Sequence, residues 1–137
     1  MSERKNFKIA LVGCGRISRS HIEAISAVDG LSISAVCDQV LDRASAAGRA
    51  LGVPFFTSYA QMLVEAECHA VAIATPSGLH PEHGIAAAQA GKHVISEKPI
   101  GISLESADAL IGACDSAGVR LFVVKQNRLN PAIQLLK

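Results

Sequence analysis

Short apolar runs alternate with helix-periodic stretches along the whole 137-residue chain, and this alternation limits the possible folds more than any other feature. Phe7–Val12 is an apolar run that ends at Gly13, as a buried strand would. Residues 16–28 then place Ile17, His21, Ile22, Ile25 and Val28 on one helical stripe, closed by Gly30. Leu31–Cys37 is a second strand-like run, and residues 40–51 repeat the helical period through Leu41, Ala44, Ala47 and Leu51. Residues 54–56 suit a short edge strand, because Pro54 can begin a strand but cannot sit inside a ladder. Ser58 followed by Gln61 has the spacing of a capping box for a helix over 59–64. Residues 70–74 form the next strand. His80-Pro81-Glu82 then opens a helix with proline in its first turn and an acid at its positive end. Residues 94–95, a helix capped by Ser103 and ending before Gly118, and a last run over 119–124 complete the alternation.

Strands and helices that alternate with short connections build a parallel sheet covered by helices on both faces, joined by right-handed crossovers. The expected fold is α/β, a doubly wound sheet of the Rossmann type with six strands in the order 3-2-1-4-5-6.

Composition removes several function classes. Thirteen Lys and Arg against twelve Asp and Glu leave a net charge of +1, so no basic surface is available for nucleic acid or an anionic membrane. Four Phe, one Tyr and no Trp are too few for a base-stacking platform. Half the residues are hydrophobic, which supports a packed core rather than disorder. No apolar stretch approaches the ~18 residues of a membrane span. Basic residues ahead of Ile9 and Cys14 have the outline of a lipoprotein export signal, but such a signal needs an apolar region of about 7–15 residues and this one is shorter. Cys14, Cys37, Cys68 and Cys114 make no C-x-x-C pair and read as free thiols of a cytoplasmic protein.

The first strand runs straight into Gly13-Cys14-Gly15-Arg16-Ile17-Ser18, the dinucleotide fingerprint with Ser at the third glycine position. Gly13 permits the tight turn, and Gly15 lets the backbone approach a pyrophosphate at the helix N-terminus. Glycine loops also simply turn chains. Here the strand before, the helix after and an acid at the end of the second strand all agree. That acid is Asp38, placed to accept hydrogen bonds from ribose hydroxyls and to repel the 2′-phosphate of NADP. It can equally cap the following helix, and the two roles are compatible. Gln39 adds no cation, although Arg43 lies one turn further on. The expected cofactor is NAD.

Ligands of such folds bind beyond the carboxyl ends of the strands, near the switch between strands 1 and 4. Two loops lie there. Thr75-Pro76-Ser77-Gly78-Leu79-His80 follows the fourth strand, and Glu97-Lys98-Pro99 follows the fifth. A lysine at this edge can be partly desolvated and exchange protons, with Glu97 holding it and Pro99 restricting the backbone. On pattern alone, a solvated loop lysine is the simpler reading. His80-x-x-His83 has a metal-compatible spacing without further ligands, so no metal is expected. Cys14, near a helix N-terminus, is open to acidification, though a small loop filler is the simpler reading.

Together the Gly13 loop, Asp38, Thr75-Pro76-Ser77 with His80, and Glu97-Lys98-Pro99 resemble the Gfo/Idh/MocA oxidoreductases over nearly the whole chain. The resemblance implies an NAD-dependent dehydrogenase in which Lys98 serves acid-base catalysis beside the nicotinamide. It also implies cofactor contacts from Gly13, Gly15, Arg16, Ile17, Asp38, Thr75, Pro76, Ser77, His80, Glu97, Lys98 and Gln126. The tail from Val123 to Arg128, with Gln134-Leu135-Leu136-Lys137, is similar to one branch of that family, active in bacterial surface-polysaccharide (lipopolysaccharide, O-antigen) synthesis. That branch oxidises the 3′-hydroxyl of UDP-N-acetylglucosaminuronic acid, which implies that Lys125 and Asn127 reach a UDP-sugar substrate. Two alternatives stay open: a family dehydrogenase for a free sugar or inositol, and a non-catalytic NAD-sensing protein. A sensor has no chemical need for a lysine in the Glu-Lys-Pro setting. Family members also carry a second domain that holds substrate, a further catalytic histidine and the oligomer interface. Residues 1–124 are therefore expected to be an NAD-binding domain, and 125–137 a linker and helix start leading out of it. The full-length protein is expected to be a cytoplasmic homo-oligomer, dimer or tetramer, and this chain alone to bind NAD without turnover.

Overall fold

In the computed structural model, residues 6–125 and 131–135 are described. The elements are β1 (Phe7–Val12), α1 (Ser18–Ser26), β2 (Leu31–Cys37), α2 (Leu41–Leu51), β3 (Phe55–Phe56), α3 (Tyr59–Glu65), β4 (Ala70–Ile73), α4 (His80–Gln89), β5 (His93–Ser96), α5 (Leu104–Ala117), β6 (Leu121–Val123) and α6 (Pro131–Gln134). A single 3-10 turn, Ser77–Leu79, leads into α4.

All six strands pair in parallel in the order β3-β2-β1-β4-β5-β6, the expected Rossmann order. The central strand shows why. Successive strand residues point to opposite faces. Accordingly Ile9 and Leu11 join a core with Val36, Ala70, Ala72 and Ile25 of α1, while Ala10 and Val12 join the opposite core with Val71, Ile73, Met62, Leu110 and Cys114. A strand buried on both sides reads as a continuous apolar run rather than an alternating one.

The helices differ from expectation mainly at their ends. α1 begins at Ser18, not at residue 16, because residues 15–17 form the turn that presents the glycine loop. α5 begins where expected, with a reciprocal capping box between Ser103 and Ser106. At Ser58 only half of such a box forms: its hydroxyl accepts from the Gln61 amide. β6 is shorter than 119–124, since the Val119 N–H donates to the Cys114 carbonyl and belongs to the end of α5. α4 and α5 pack closely at Gly84, where a Cβ would come within 2.5 Å of Leu110 Cδ1. No helix among the described residues is long and apolar enough to cross a membrane. Leu136 and Lys137, at the end of the last expected helix, lie outside the described residues.

Candidate functional site

The carboxyl ends of β1, β2 and β4 open onto a cavity of about 430 Å³. The glycine loop forms its floor. Gly13 sits at φ +95°, and a Cβ there would lie 2.6 Å from the Ala74 carbonyl group, so only glycine fits between β1 and the end of β4. Gly15 is the opposite case: a Cβ there would meet no protein atom within 4 Å. Its open flank is the space a pyrophosphate needs at the start of α1. Ser18, at the third fingerprint position, is buried and donates its hydroxyl to the Gly15 carbonyl at 2.6 Å, closing the loop onto the helix.

Asp38 ties the loop to the end of β2. One carboxylate oxygen accepts the Cys14 N–H at 2.9 Å, and the other accepts the Val40 N–H at 2.8 Å. Asp38 thus holds the glycine loop and the turn into α2, but the expected cap does not form: α2 starts after Val40 with no side-chain cap. Each carboxylate oxygen can accept more than one bond, so capacity for ribose hydroxyls remains. Gln39, Val40 and Arg43 line the same cavity. Cys14 is not acidified, the alternative weighed against a small loop filler. Burial, then the nearby Asp38 charge and Cys37, push its thiol up to about 11, and its Sγ–H points at the Cys37 carbonyl at 3.5 Å. The adjacent carboxylate and partial burial outweigh the helix N-terminus.

The far wall comes from the loop after β4 and from α3. Gly13, Gly15, Arg16, Ile17, Asp38, Thr75 and Pro76, named from the sequence as cofactor contacts, all line the cavity. Tyr59, Leu79 and His83 line it too; Tyr59 has no expected role, and His83 is considered from the sequence only for its spacing from His80. Their arrangement is a relay of contacts. Tyr59 donates its hydroxyl to the His83 carbonyl at 2.6 Å, its ring meets the His83 ring edge-on at 4.7 Å, and His83 Nδ1 bonds Thr75 Oγ1 at 2.9 Å. Burial, the largest influence, holds the His83 imidazole below its ordinary range, opposed by Glu82 and reinforced by His80.

Ser77 is exposed at the start of the 3-10 turn. His80, expected to face the cofactor, is 2% exposed. Its Nε2 lies 2.6 Å from the Thr75 carbonyl oxygen and its Nδ1 lies 2.8 Å from that of Pro99. Glu97 is buried as well, with Oε1 2.8 Å from His21 Nε2 on α1. Lys98 is exposed, and the Lys98–Pro99 peptide is cis. The partial desolvation considered for this lysine is not supplied by the described residues. The His80-x-x-His83 spacing is taken up by these polar contacts, and no group of three or more His, Cys, Asp or Glu among the described residues is arranged to hold a metal. Lys125 is exposed beyond β6, whereas Gln126 and Asn127 lie outside the described residues.

Comparison with known proteins agrees with this geometry. A family model described as an oxidoreductase family with an NAD-binding Rossmann fold (GFO_IDH_MocA) matches residues 7–125. The chain is 42% identical over 131 residues to D-apiose dehydrogenase of Paraburkholderia graminis, an alignment covering 95% of this chain and 35% of that protein. It is 33% identical to UDP-N-acetylglucosamine 3-dehydrogenase of Acidithiobacillus ferrooxidans, covering 96% of this chain and 41% of the relative. The crystal structure of the WlbA dehydrogenase from Bordetella pertussis, in complex with NADH and UDP-GlcNAcA, superposes with a TM-score of 0.94 at 47% identity, covering 97% of this chain and 41% of that one. The chain therefore spans well under half the length of these relatives. The glycine cradle, the Asp38 anchor and the match over 7–125 converge on one conclusion: this chain belongs to the Gfo/Idh/MocA oxidoreductase family and is its NAD-binding Rossmann domain.

Proposed function

We propose that this chain is the cofactor half of a dehydrogenase that oxidises the 3′-hydroxyl of a UDP-sugar, with UDP-N-acetylglucosaminuronic acid as the preferred substrate. The observation that carries this reading is the 47% identity and 0.94 TM-score to a dehydrogenase whose structure holds NADH and UDP-GlcNAcA. A UDP-N-acetylglucosamine 3-dehydrogenase among the relatives supports it.

In this reading NAD, when bound, accepts the hydride from the carbinol carbon. The protein's residues do the rest. Gly15 and the first turn of α1 receive the pyrophosphate, flanked by Arg16 and Ile17, and Asp38 accepts the ribose hydroxyls. Thr75, Pro76 and Ser77 border the nicotinamide side. Lys98 assists removal of the hydroxyl proton as the carbonyl forms, Lys125 and Asn127 are assigned to the substrate, and Gln126 to the cofactor. We further propose that residues 1–124 are the cofactor domain and 125–137 its connection to a substrate-holding domain, in a homo-oligomer acting in cytoplasmic steps of surface-polysaccharide synthesis.

A second reading has its own observation. The 42% identity to D-apiose dehydrogenase favours a free sugar as substrate. The two are separated by assaying the protein from its complete reading frame with NAD against UDP-N-acetylglucosaminuronic acid, UDP-N-acetylglucosamine, D-apiose and myo-inositol, following NADH absorbance. Turnover on the nucleotide sugars at least tenfold above the free sugars is expected. A preference for D-apiose would replace the first reading with the second.

A further inference from the structure

We infer that His21 and His80 are positioning residues that together fix the backbone on either side of Lys98; this rests on the reading of Lys98 as the proton-transfer group. Lys98 itself is exposed, on a long flexible stem, so its placement depends on what holds its neighbours. The residue before it is held from several directions. The Glu97 N–H donates to the Ile73 carbonyl at 3.3 Å, and the Glu97 carbonyl accepts the Ser96 hydroxyl at 2.9 Å. Its carboxylate reaches across to His21 Nε2 on α1 at 2.8 Å, with side-chain exposures of 10% and 9%. The residue after Lys98 is held by α4, whose His80 Nδ1 donates to the Pro99 carbonyl at 2.8 Å.

Each imidazole also connects the lysine loop to the cofactor cleft. His21 lies on the helix whose first turn closes the glycine loop through Ser18 and Gly15. His80 Nε2 contacts the carbonyl of Thr75, a residue of the cavity wall. Both partners are carbonyl oxygens, which only accept, so His80 holds these contacts as the donor. Neither histidine lines the cavity, and both are buried, at 8% and 2% exposure. Both are buried polar groups whose hydrogen bonds run to the two residues adjoining one exposed lysine. A displacement of about 1 Å at a reacting group can lower a rate about 10²-fold.

The test is a double-mutant cycle in the complete protein, using NAD and whichever of the four sugars above is turned over. His80→Leu and His21→Leu are each expected to lower kcat about ten- to a hundredfold, with KM for NAD changed less than about threefold. On a Lys98→Met background, the same substitutions should change the residual rate less than about twofold, because the group they position is gone. His80→Gln, which keeps a donor, should recover most of the loss. Should His80→Leu fail to fold, His80→Asn takes its place in the cycle. An equal fall in both backgrounds overturns the inference, since it would mean that the histidines act on the fold as a whole. If Lys98→Met by itself leaves turnover near normal, or no sugar is oxidised, the underlying reading fails and this inference falls with it.

Discussion

The two ends of the cofactor cleft are built by different means. At the phosphate end, backbone groups and one carboxylate do the work within β1, α1 and the end of β2. Gly13 fits against β4, Gly15 leaves its flank open, and Asp38 holds two amides. At the corner after β4 and β5, the fixings are buried or half-buried side chains drawn from α1, α3 and α4, joining residues from 8 to 76 positions apart. The glycine loop at the phosphate end suits a pyrophosphate shared by all dinucleotides, and Asp38 beside it is the group that would tell NAD from NADP. In the proposed reading the corner places the Lys98 amine, and backbone geometry alone does not fix the orientation of two separate loops relative to each other.

If that division holds, substitutions at the two ends should fail in different ways. The largest effect belongs to the corner. In the complete protein, Lys98→Met should lower turnover about 10²–10⁴-fold, the usual share of general acid-base catalysis, with NAD affinity nearly unchanged. Steady-state kinetics beside a fluorescence titration of NADH measure both quantities. Near-normal turnover would move the proton transfer to another residue.

At the phosphate end the loss should appear in binding. Asp38→Ala should weaken NAD about ten- to a hundredfold, or about 1.5–3 kcal/mol, because it removes a charged acceptor and loosens the Cys14 amide. It should also narrow the gap between NAD and NADP, since Arg43 remains in the same cavity. Calorimetry with both nucleotides reads this directly.

The two glycines sharpen the contrast further. Gly13→Ala places a methyl against the backbone of Ala74 at a φ of +95°, and should cost about 1–3 kcal/mol of stability. Gly15→Ala meets nothing within 4 Å, so stability should stay within about 0.5 kcal/mol while NAD binding weakens. Urea unfolding of the two variants, without nucleotide, separates them. Equal losses would show that the open flank of Gly15 has no special role.

The smallest effect is one of pH. Because burial holds His83 below its ordinary range, the unfolded chain takes up its proton first, near about pH 6.5. The stability contributed by neutral His83 is complete above that pH and is lost as pH falls through the lower folded value. His83→Gln should therefore flatten the acid side of a melting-temperature profile. An unchanged slope would exclude His83 as its source.

The sequence was legible where the structure is local. The alternation of runs, the glycine fingerprint and Asp38 follow from spacing within one βαβ unit, and the strand order follows from the rules for parallel connections. Helix ends were less so, because Arg16 and Ile17 satisfy a helical period while the loop needs them in a turn. The corner was the least legible. His21 falls on the apolar stripe of α1 and carries no local mark of its bond to Glu97, 76 residues away. His80 ends the loop after β4, yet its ring is buried against the Thr75 and Pro99 carbonyl oxygens. Tyr59 carried one signal that could have drawn notice, a lone aromatic hydroxyl at the start of a helix next to the cleft.

The central claim is that these residues form a complete NAD cleft whose preference is set by Asp38. Titrating this 137-residue chain with NAD and with NADP by isothermal calorimetry tests it most directly. We expect one NAD per chain and NADP bound at least about tenfold more weakly, a difference of about 1.4 kcal/mol. Equal affinity for the two nucleotides, or no binding of NAD, would contradict the account.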